Sequence, residues 1–406
     1  MKSKWLVLFL IWLMLLVAYF DRINLPVAAS SMMKALHLTK TQWGFVLSAF
    51  TLGYALLQAP GGHFADRFGS RRLLIFAILV WSIFTGLTGL AISLIMLVGI
   101  RVVFGFGEGL ENGAQYRLVG LYFQPKERAF ANSVFLSAMA LGPALGTPSA
   151  TWMVSNWGWQ KMFFGFAILG LTVGLVLFLF LPRDVVVPAK KDDSTQDCAA
   201  GTGEFANALR RPTSWLCAGS YMLFNMAFWG FLSWVPIYLR EDRHIPLAKS
   251  GVIGALPYFA GFAGMMVAGY LGSTVFSQRR SVLVAACYVA SAAGLLFALS
   301  AQSTLTCMTG LCVSGFFLYA GFGPFWAVSL DLAPPHCRGV FTGSVNCCGQ
   351  IGAFCSQIII GILADQMKSF TGAILFMTCA LCLSAVVMLQ LHKLLRLEAN
   401  ISDNAS

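Results

Sequence analysis

Long apolar runs broken by short polar stretches dominate the chain, and about 20 mostly apolar residues suffice to cross a bilayer as a helix. Twelve such runs are predicted, over about 5–29, 42–62, 73–92, 94–118, 128–154, 160–181, 213–239, 247–272, 281–300, 303–330, 339–365 and 369–391. This is the pattern of an all-α integral membrane protein. The longest internal hydrophilic stretch, 182–212, carries Lys190-Lys191-Asp192-Asp193 and separates six runs from six, so it reads as a linker; 393–406 is a polar tail.

Two loops repeat. Pro125 and Arg128, after the fourth run, recur at one common offset as Pro335 and Arg338 after the tenth, and Arg71-Arg72 recurs as Arg279-Arg280. The chain is therefore expected to fold as twelve transmembrane helices in two pseudo-symmetric six-helix halves, 1–181 and 213–392, as repeat-built transport folds do.

Composition agrees with a membrane setting. Of 406 residues, 58% are hydrophobic and 11% charged, against about 25% charged in soluble domains. The net charge of +11 does not call for nucleic acid, because the basic residues sort by loop. With the N-terminus inside, Lys2, Lys4, Arg67, Arg71, Arg72, Arg117, Lys126, Arg128, Arg210, Arg211, Arg279, Arg280 and Arg338 all fall on the cytoplasmic side. An even number of spans returns the C-terminus there too. The segment 1–29 is too long, and too poor in small residues at a cleavage position, for a removable signal. The cysteines begin at Cys198; Cys347, Cys348, Cys355, Cys379 and Cys382 read as small hydrophobes buried in apolar helices rather than metal ligands. No cofactor or metal is expected.

Charges inside the apolar runs are the candidate chemistry, since an intramembrane acid or base costs about 2.5–3.5 kcal/mol on insertion scales and usually marks a polar pathway. Arg101 and Glu108 are seven residues apart and share a helix face, with Glu111 about one turn further on. Asp21 and Arg22 interrupt the first run; as neighbours they point about 100° apart and cannot both hide on one packed face. A local ion pair at a helix end is the alternative for them. The second half offers no charge away from helix ends, only aromatic and polar groups such as Asn225, Trp229, Trp234, Tyr238, Tyr258, Tyr319, Trp326, Ser329, Asn346 and Gln350.

The loop after the second run, Gly61-Gly62-His63-Phe64-Ala65-Asp66-Arg67-Phe68-Gly69-Ser70-Arg71-Arg72, resembles the signature loop of the major facilitator superfamily. Glycines there let two helices approach, the acid pairs at a neighbouring helix end, and the arginines hold the loop in the cytoplasm. Gly62, Asp66, Arg67, Gly69, Arg71, Arg72 and Arg128 are thus candidates for a cytoplasmic gate. Beyond the superfamily, Asp21-Arg22, Tyr54, Arg101, Glu108 and Arg117, with Trp157-Gly158-Trp159, Trp234-Val235-Pro236 and Phe325-Trp326, are similar to the anion:cation symporter family. The similarity is to its bacterial D-galactonate and hexuronate transporters and, more distantly, to sialin. That resemblance implies that Arg22 and Arg101 hold a substrate carboxylate, that Asp21 and Glu108 carry coupling protons, and that Tyr54, Trp326 and Asn346 line the substrate cavity. Glu111 has no counterpart in the family and is a possible additional site acid.

The reading that follows is proton-coupled uptake of a small organic anion, such as a sugar acid, by alternating access. Its setting would be a monomer in a bacterial inner membrane, with the lipid bilayer, protons and the anion as partners. An exporter or exchanger, including one for larger carboxylate conjugates such as a citrate-type siderophore, and a non-transporting receptor are the alternatives. A membrane enzyme is disfavoured because no nucleophile and base, and no ligand cluster, stand at membrane depth.

Overall fold

The computed structural model describes residues 4–182, 207–208, 210–334 and 338–405; the linker residues 183–206 and 209, and Pro335, His336 and Cys337, lie outside them. Every regular element described is helical: α1 Lys4–Leu36, α2 Lys40–Phe68, α3 Ser70–Thr88, α4 Leu94–Gly109, α5 Glu111–Tyr122, α6 Pro125–Leu136 and α7 Ala138–Phe180 come first. After the linker follow α8 Pro212–Glu241, α9 Leu247–Ser273, α10 Arg280–Ser300, α11 Thr304–Ala320, α12 Phe322–Leu332, α13 Arg338–Gln366 and α14 Thr371–Ala405. Among the described residues, nine helical stretches are long and apolar enough to cross a membrane. Their outer surfaces match a hydrocarbon solvent. Ile168 and Val252 are each 65% exposed, positions that would be costly in water.

Helix boundaries follow local chemistry. Thr39 accepts from the Gln42 amide at 3.1 Å while the Gln42 side chain accepts from the Thr39 amide at 3.0 Å, a reciprocal cap that starts α2. Ser93 and Ser303 cap α4 and α11 through the amides of Met96 and Thr306. Gly69 alone separates α2 from α3, at φ +86°, which only glycine adopts freely. Gly158, at φ +83°, interrupts α7 in the same way.

Several predictions are redrawn. The first helix runs on past 29 to Leu36, so Asp21 sits in mid-helix and the helix-end ion pair is excluded for it. The run 94–118 breaks at Leu110 into α4 and α5. Cys347, Cys379 and Cys382 are exposed on their helices, and Cys348 and Cys355 half-buried; among the described residues the buried thiols are Cys217, Cys287 and Cys307. An apolar outer surface accepts a cysteine as readily as a packed interior does.

The described chain divides into two compact units. One holds everything up to residue 182 with 232–258 and 357–370; the other holds 210–231, 259–356 and 371–405. In the first, α2 and α4 approach so closely that a methyl group on Gly109 would lie 2.5 Å from the Tyr54 carbonyl oxygen. Glycine is needed there, and the contact brings Glu108 beside Tyr54. In the second unit the hydroxyls of Ser291 and Ser314 meet at 3.0 Å between α10 and α11, and those of Ser220 and Ser384 at 2.9 Å between α8 and α14.

The Lys40 end of the first unit is tied by charges. Asp365 accepts from the amides of Lys40 and Thr41 at 3.1 and 2.7 Å and from the Thr41 hydroxyl at 2.6 Å. Lys40 pairs with Glu241 at 3.1 Å, and Ser30 donates to the same carboxylate at 3.1 Å. Asp242 accepts the Phe370 amide at 2.6 Å. At the opposite end Lys4 pairs with Glu127 at 2.5 Å. That bond, followed by the one from the Gln124 amide, holds the Glu127 carboxyl below its ordinary range.

Candidate functional site

Four helices of the first unit converge on the charged cluster. α1 carries Asp21 and Arg22, α2 carries Tyr54, α4 carries Arg101 and Glu108, and α5 opens with Glu111. Asp21, Glu108 and Glu111 have no exposed surface, Arg101 is 2% and Tyr54 6% exposed, and the Arg22 side chain is 5% exposed. Arg22 donates from Nε to Glu108 Oε2 at 2.7 Å, and its Nη2 lies 3.7 Å from Glu111 Oε1. The guanidinium is boxed by rings, with Tyr19, Tyr54 and Phe50 centroids at 4.4, 5.2 and 5.6 Å. Burial without partners would make this cation prohibitively costly, so the pair and the aromatic box are what permit it.

Arg101 faces another way. Its Nη2 donates to the Thr88 hydroxyl at a long 3.4 Å, and its guanidinium stands over Phe104 and Phe163. Asp21 and Glu108 lie within electrostatic range of it. Asp21 Oδ1 accepts from Asn24 Nδ2 at 3.1 Å. The sequence spacing puts Arg101 and Glu108 on one face, yet the structure gives Glu108's close ion pair to Arg22, 86 residues away. The break at Leu110 turns Glu111 inward, where Oε2 accepts from Gln115 Nε2 at 3.2 Å. Tyr54 accepts from Asn112 Nδ2 at 2.5 Å.

Several buried polar atoms here have no hydrogen-bond partner: Asp21 Oδ2, Asn24 Oδ1, Arg101 Nε, Glu108 Oε1, Glu111 Oε1 and Gln115 Oε1. Native interiors rarely leave so many orphans together. Such a cluster can bind a polar solute, and it can exchange one ion pair for another when an acid takes up a proton.

The remaining candidates lie elsewhere. Trp326 and Asn346 belong to the second unit and are half-buried. Trp326 stands edge-on to Tyr221 at 5.0 Å, and Tyr221 stacks on Phe325 at 4.7 Å. At the signature loop, Arg117 of α5 donates to the Ser70 hydroxyl at 3.2 Å, and Arg71 donates to the Phe178 carbonyl. Arg128 donates to the carbonyls of Phe123 and Gly120 at 3.1 and 2.9 Å. Arg67 lies over the Phe68 ring and Arg72 is exposed. The side chain of Asp66 lies outside the described residues. Gly113 packs so closely on Gly62 that a Cβ added to Gly113 would lie 2.6 Å from the Gly62 Cα, whereas a Cβ added to Gly62 would meet nothing within 4 Å. Sequence reasoning missed Tyr19, Asn24, Phe50, Thr88, Asn112 and Gln115; Gln115, four residues after Glu111, was the one with a local signal.

Residues 11–357 match the Major Facilitator Superfamily. The chain is 28% identical over 420 residues to the probable galactarate/D-glucarate transporter GarP of Escherichia coli K12, covering 95% of this chain and 94% of that one. It is 29% identical over 390 residues to the hexuronate transporter of Bacillus subtilis, covering 92% and 91%. Among solved structures it resembles a bacterial homolog of the human lysosomal transporter Spinster, inward-facing and unoccupied, with a TM-score of 0.76, 18% identity and coverage of 97% and 96%.

Proposed function

Since the chain belongs to the Major Facilitator Superfamily, we propose that it takes up a small organic anion of the sugar-acid class together with protons, by alternating access. It is a transporter and not an enzyme, and its relatives' substrates are organic acids. The observation that carries the mechanism is the buried Arg22–Glu108 pair at 2.7 Å. A guanidinium offers a planar donor fork suited to a carboxylate. Protonating Glu108 removes the charge that holds Arg22, and a substrate carboxylate then takes its place. Without the proton, the incoming anion would add to carboxylates already in excess. Asp21, within electrostatic range of Arg101, is proposed for the corresponding role there, and Tyr54 helps to fix Arg22. Trp326 and Asn346 are proposed as uncharged substrate contacts on the family resemblance.

Twelve crossings follow if α7 counts as two spans divided at Gly158, α4 with α5 forms one, α11 with α12 forms one, α2 forms another, and α6 leads into the first part of α7. The proposed halves are 1–181 and 213–392, joined by the linker 182–212, in a monomer of a bacterial inner membrane with both termini cytoplasmic. The Lys4 end is then inside, and the Asp365–Lys40–Glu241 ties close the outer end. Gly62, Asp66, Arg67, Gly69, Arg71, Arg72 and Arg128 form the proposed cytoplasmic gate. Carrying a monoanion in with two protons moves one net positive charge, which an inside-negative potential favours by about 2.3 kcal/mol per 100 mV.

Proteoliposomes with an imposed inward proton gradient test this. Uptake of gluconate or a hexuronate should rise with the gradient and vanish in Arg22→Ala. Uptake indifferent to the gradient would remove proton coupling.

A further inference from the structure

The cluster contains three carboxylates, Asp21, Glu108 and Glu111, and two guanidiniums, Arg22 and Arg101, all buried. Arg22 is already shared between Glu108 and Glu111, and Arg101 sits with Thr88 and within range of Asp21. When a substrate carboxylate claims Arg22, Glu111 keeps no cation. Its other contact, Gln115 Nε2 at 3.2 Å, is neutral.

The unmet groups beside it are all acceptors. Glu111 Oε1, Gln115 Oε1 and Glu108 Oε1 are buried without hydrogen bonds, and the Gln115 amide is anchored on Glu111 itself, so its oxygen stands at the same place. A second carboxylate would bring no donor and another negative charge. A hydroxyl brings one donor and no charge. An ammonium brings three donors and the missing positive charge in one group. With one, Glu111 regains beside it the cation that it loses when the substrate carboxylate takes Arg22.

We infer that Glu111, held by Gln115, is a specificity-determining residue that makes the site prefer a monocarboxylate bearing an amine and turn away a dicarboxylate. This rests on the organic-anion reading above and narrows it. It also separates this chain from the aldarate transporters among its relatives.

The test measures binding of three six-carbon acids to the purified full-length protein by ligand-induced shift of thermal unfolding. The probes are gluconate, 2-amino-2-deoxygluconate and glucarate. A charge-assisted hydrogen bond contributes enough for about a tenfold to hundredfold preference for the amino acid over gluconate, with glucarate weakest. In Glu111→Gln, at least about tenfold of that preference should disappear and glucarate should gain. Gln115→Leu, which frees the Glu111 carboxylate to swing, should shift the order in the same direction. Glucarate binding as tightly as the amino acid, or an unchanged order in the folded variants, overturns the inference. The wild-type ranking decides the matter even if a variant does not fold. Binding of gluconate and glucarate with no gain for the amine overturns the subsite alone; binding of none of the three removes the organic-anion reading and the subsite with it.

Discussion

Replacing Asp365 with alanine removes three hydrogen bonds from the start of α2: two from the Lys40 and Thr41 amides and one from the Thr41 hydroxyl, at 2.6–3.1 Å. Loss of a capping carboxylate costs about 0.5–2 kcal/mol, and water recovers part of it because Asp365 is half-exposed. At about 1.4 kcal/mol the loss is one power of ten in an opening equilibrium. The Lys40–Glu241 pair and the bond from Ser30 remain to hold this end, so the variant should open more often without losing its fold. Hydrogen exchange, followed by mass spectrometry in lipid, reads the change directly. Amides at 40–44 should exchange about tenfold faster, because exchange from a closed segment scales with the opening constant. Amides of α10, in the other unit, should keep their rates. Asp365→Asn, which retains one acceptor oxygen, should fall between. Unchanged exchange at 40–44 in Asp365→Ala would refute the assignment of these bonds as ties that keep this end shut.

Other consequences can be checked singly. Arg22→Ala leaves Glu108 buried and unpaired, which costs about 3–5 kcal/mol; thermal unfolding should show a clear loss that Arg22→Ala with Glu108→Gln largely recovers. Gly109→Val should cost about 1–3 kcal/mol by forcing α4 away from the Tyr54 carbonyl, and should weaken carboxylate binding as Tyr54 moves from Arg22. Trp326→Ala and Asn346→Ala should raise the KM for the acid while leaving proton-driven accumulation at saturation intact. The Lys4–Glu127 pair, with its lowered carboxyl, contributes above the ordinary glutamate value of about 4.3 and is lost as pH falls through its lower folded value. Glu127→Gln should therefore alter unfolding above pH 5 and converge with wild type in strong acid.

Much of the architecture was legible because burial in lipid demands long apolar runs, and a run of the right length leaves few other choices. The boundaries were less so. Ser30, Ser31 and Lys34 resemble the end of a helix, yet α1 carries them to Leu36, and Ser30 finds Glu241. The glycines before Leu110 gave no sign that the helix restarts at Glu111 instead of continuing. In the cluster, spacing identified the charges and not their partners. The seven-residue step predicted Arg101 with Glu108, whereas the choice of Arg22 depends on where α1 packs, which no local pattern records. The ties of Lys40 to Asp365 and Glu241 join residues at or just beyond the ends of three separate predicted runs, which no local pattern pairs.

The coupling role of Glu108 is the centre of the account, and one comparison tests it most directly. In proteoliposomes, counterflow of labelled acid needs only binding and alternation, while accumulation against a gradient also needs the proton. Glu108→Gln mimics the protonated acid and leaves Arg22 ready for substrate. Counterflow should persist near the wild-type rate, and accumulation driven by an inward proton gradient should fall to the level without a gradient. Full gradient-driven accumulation by Glu108→Gln would contradict the account.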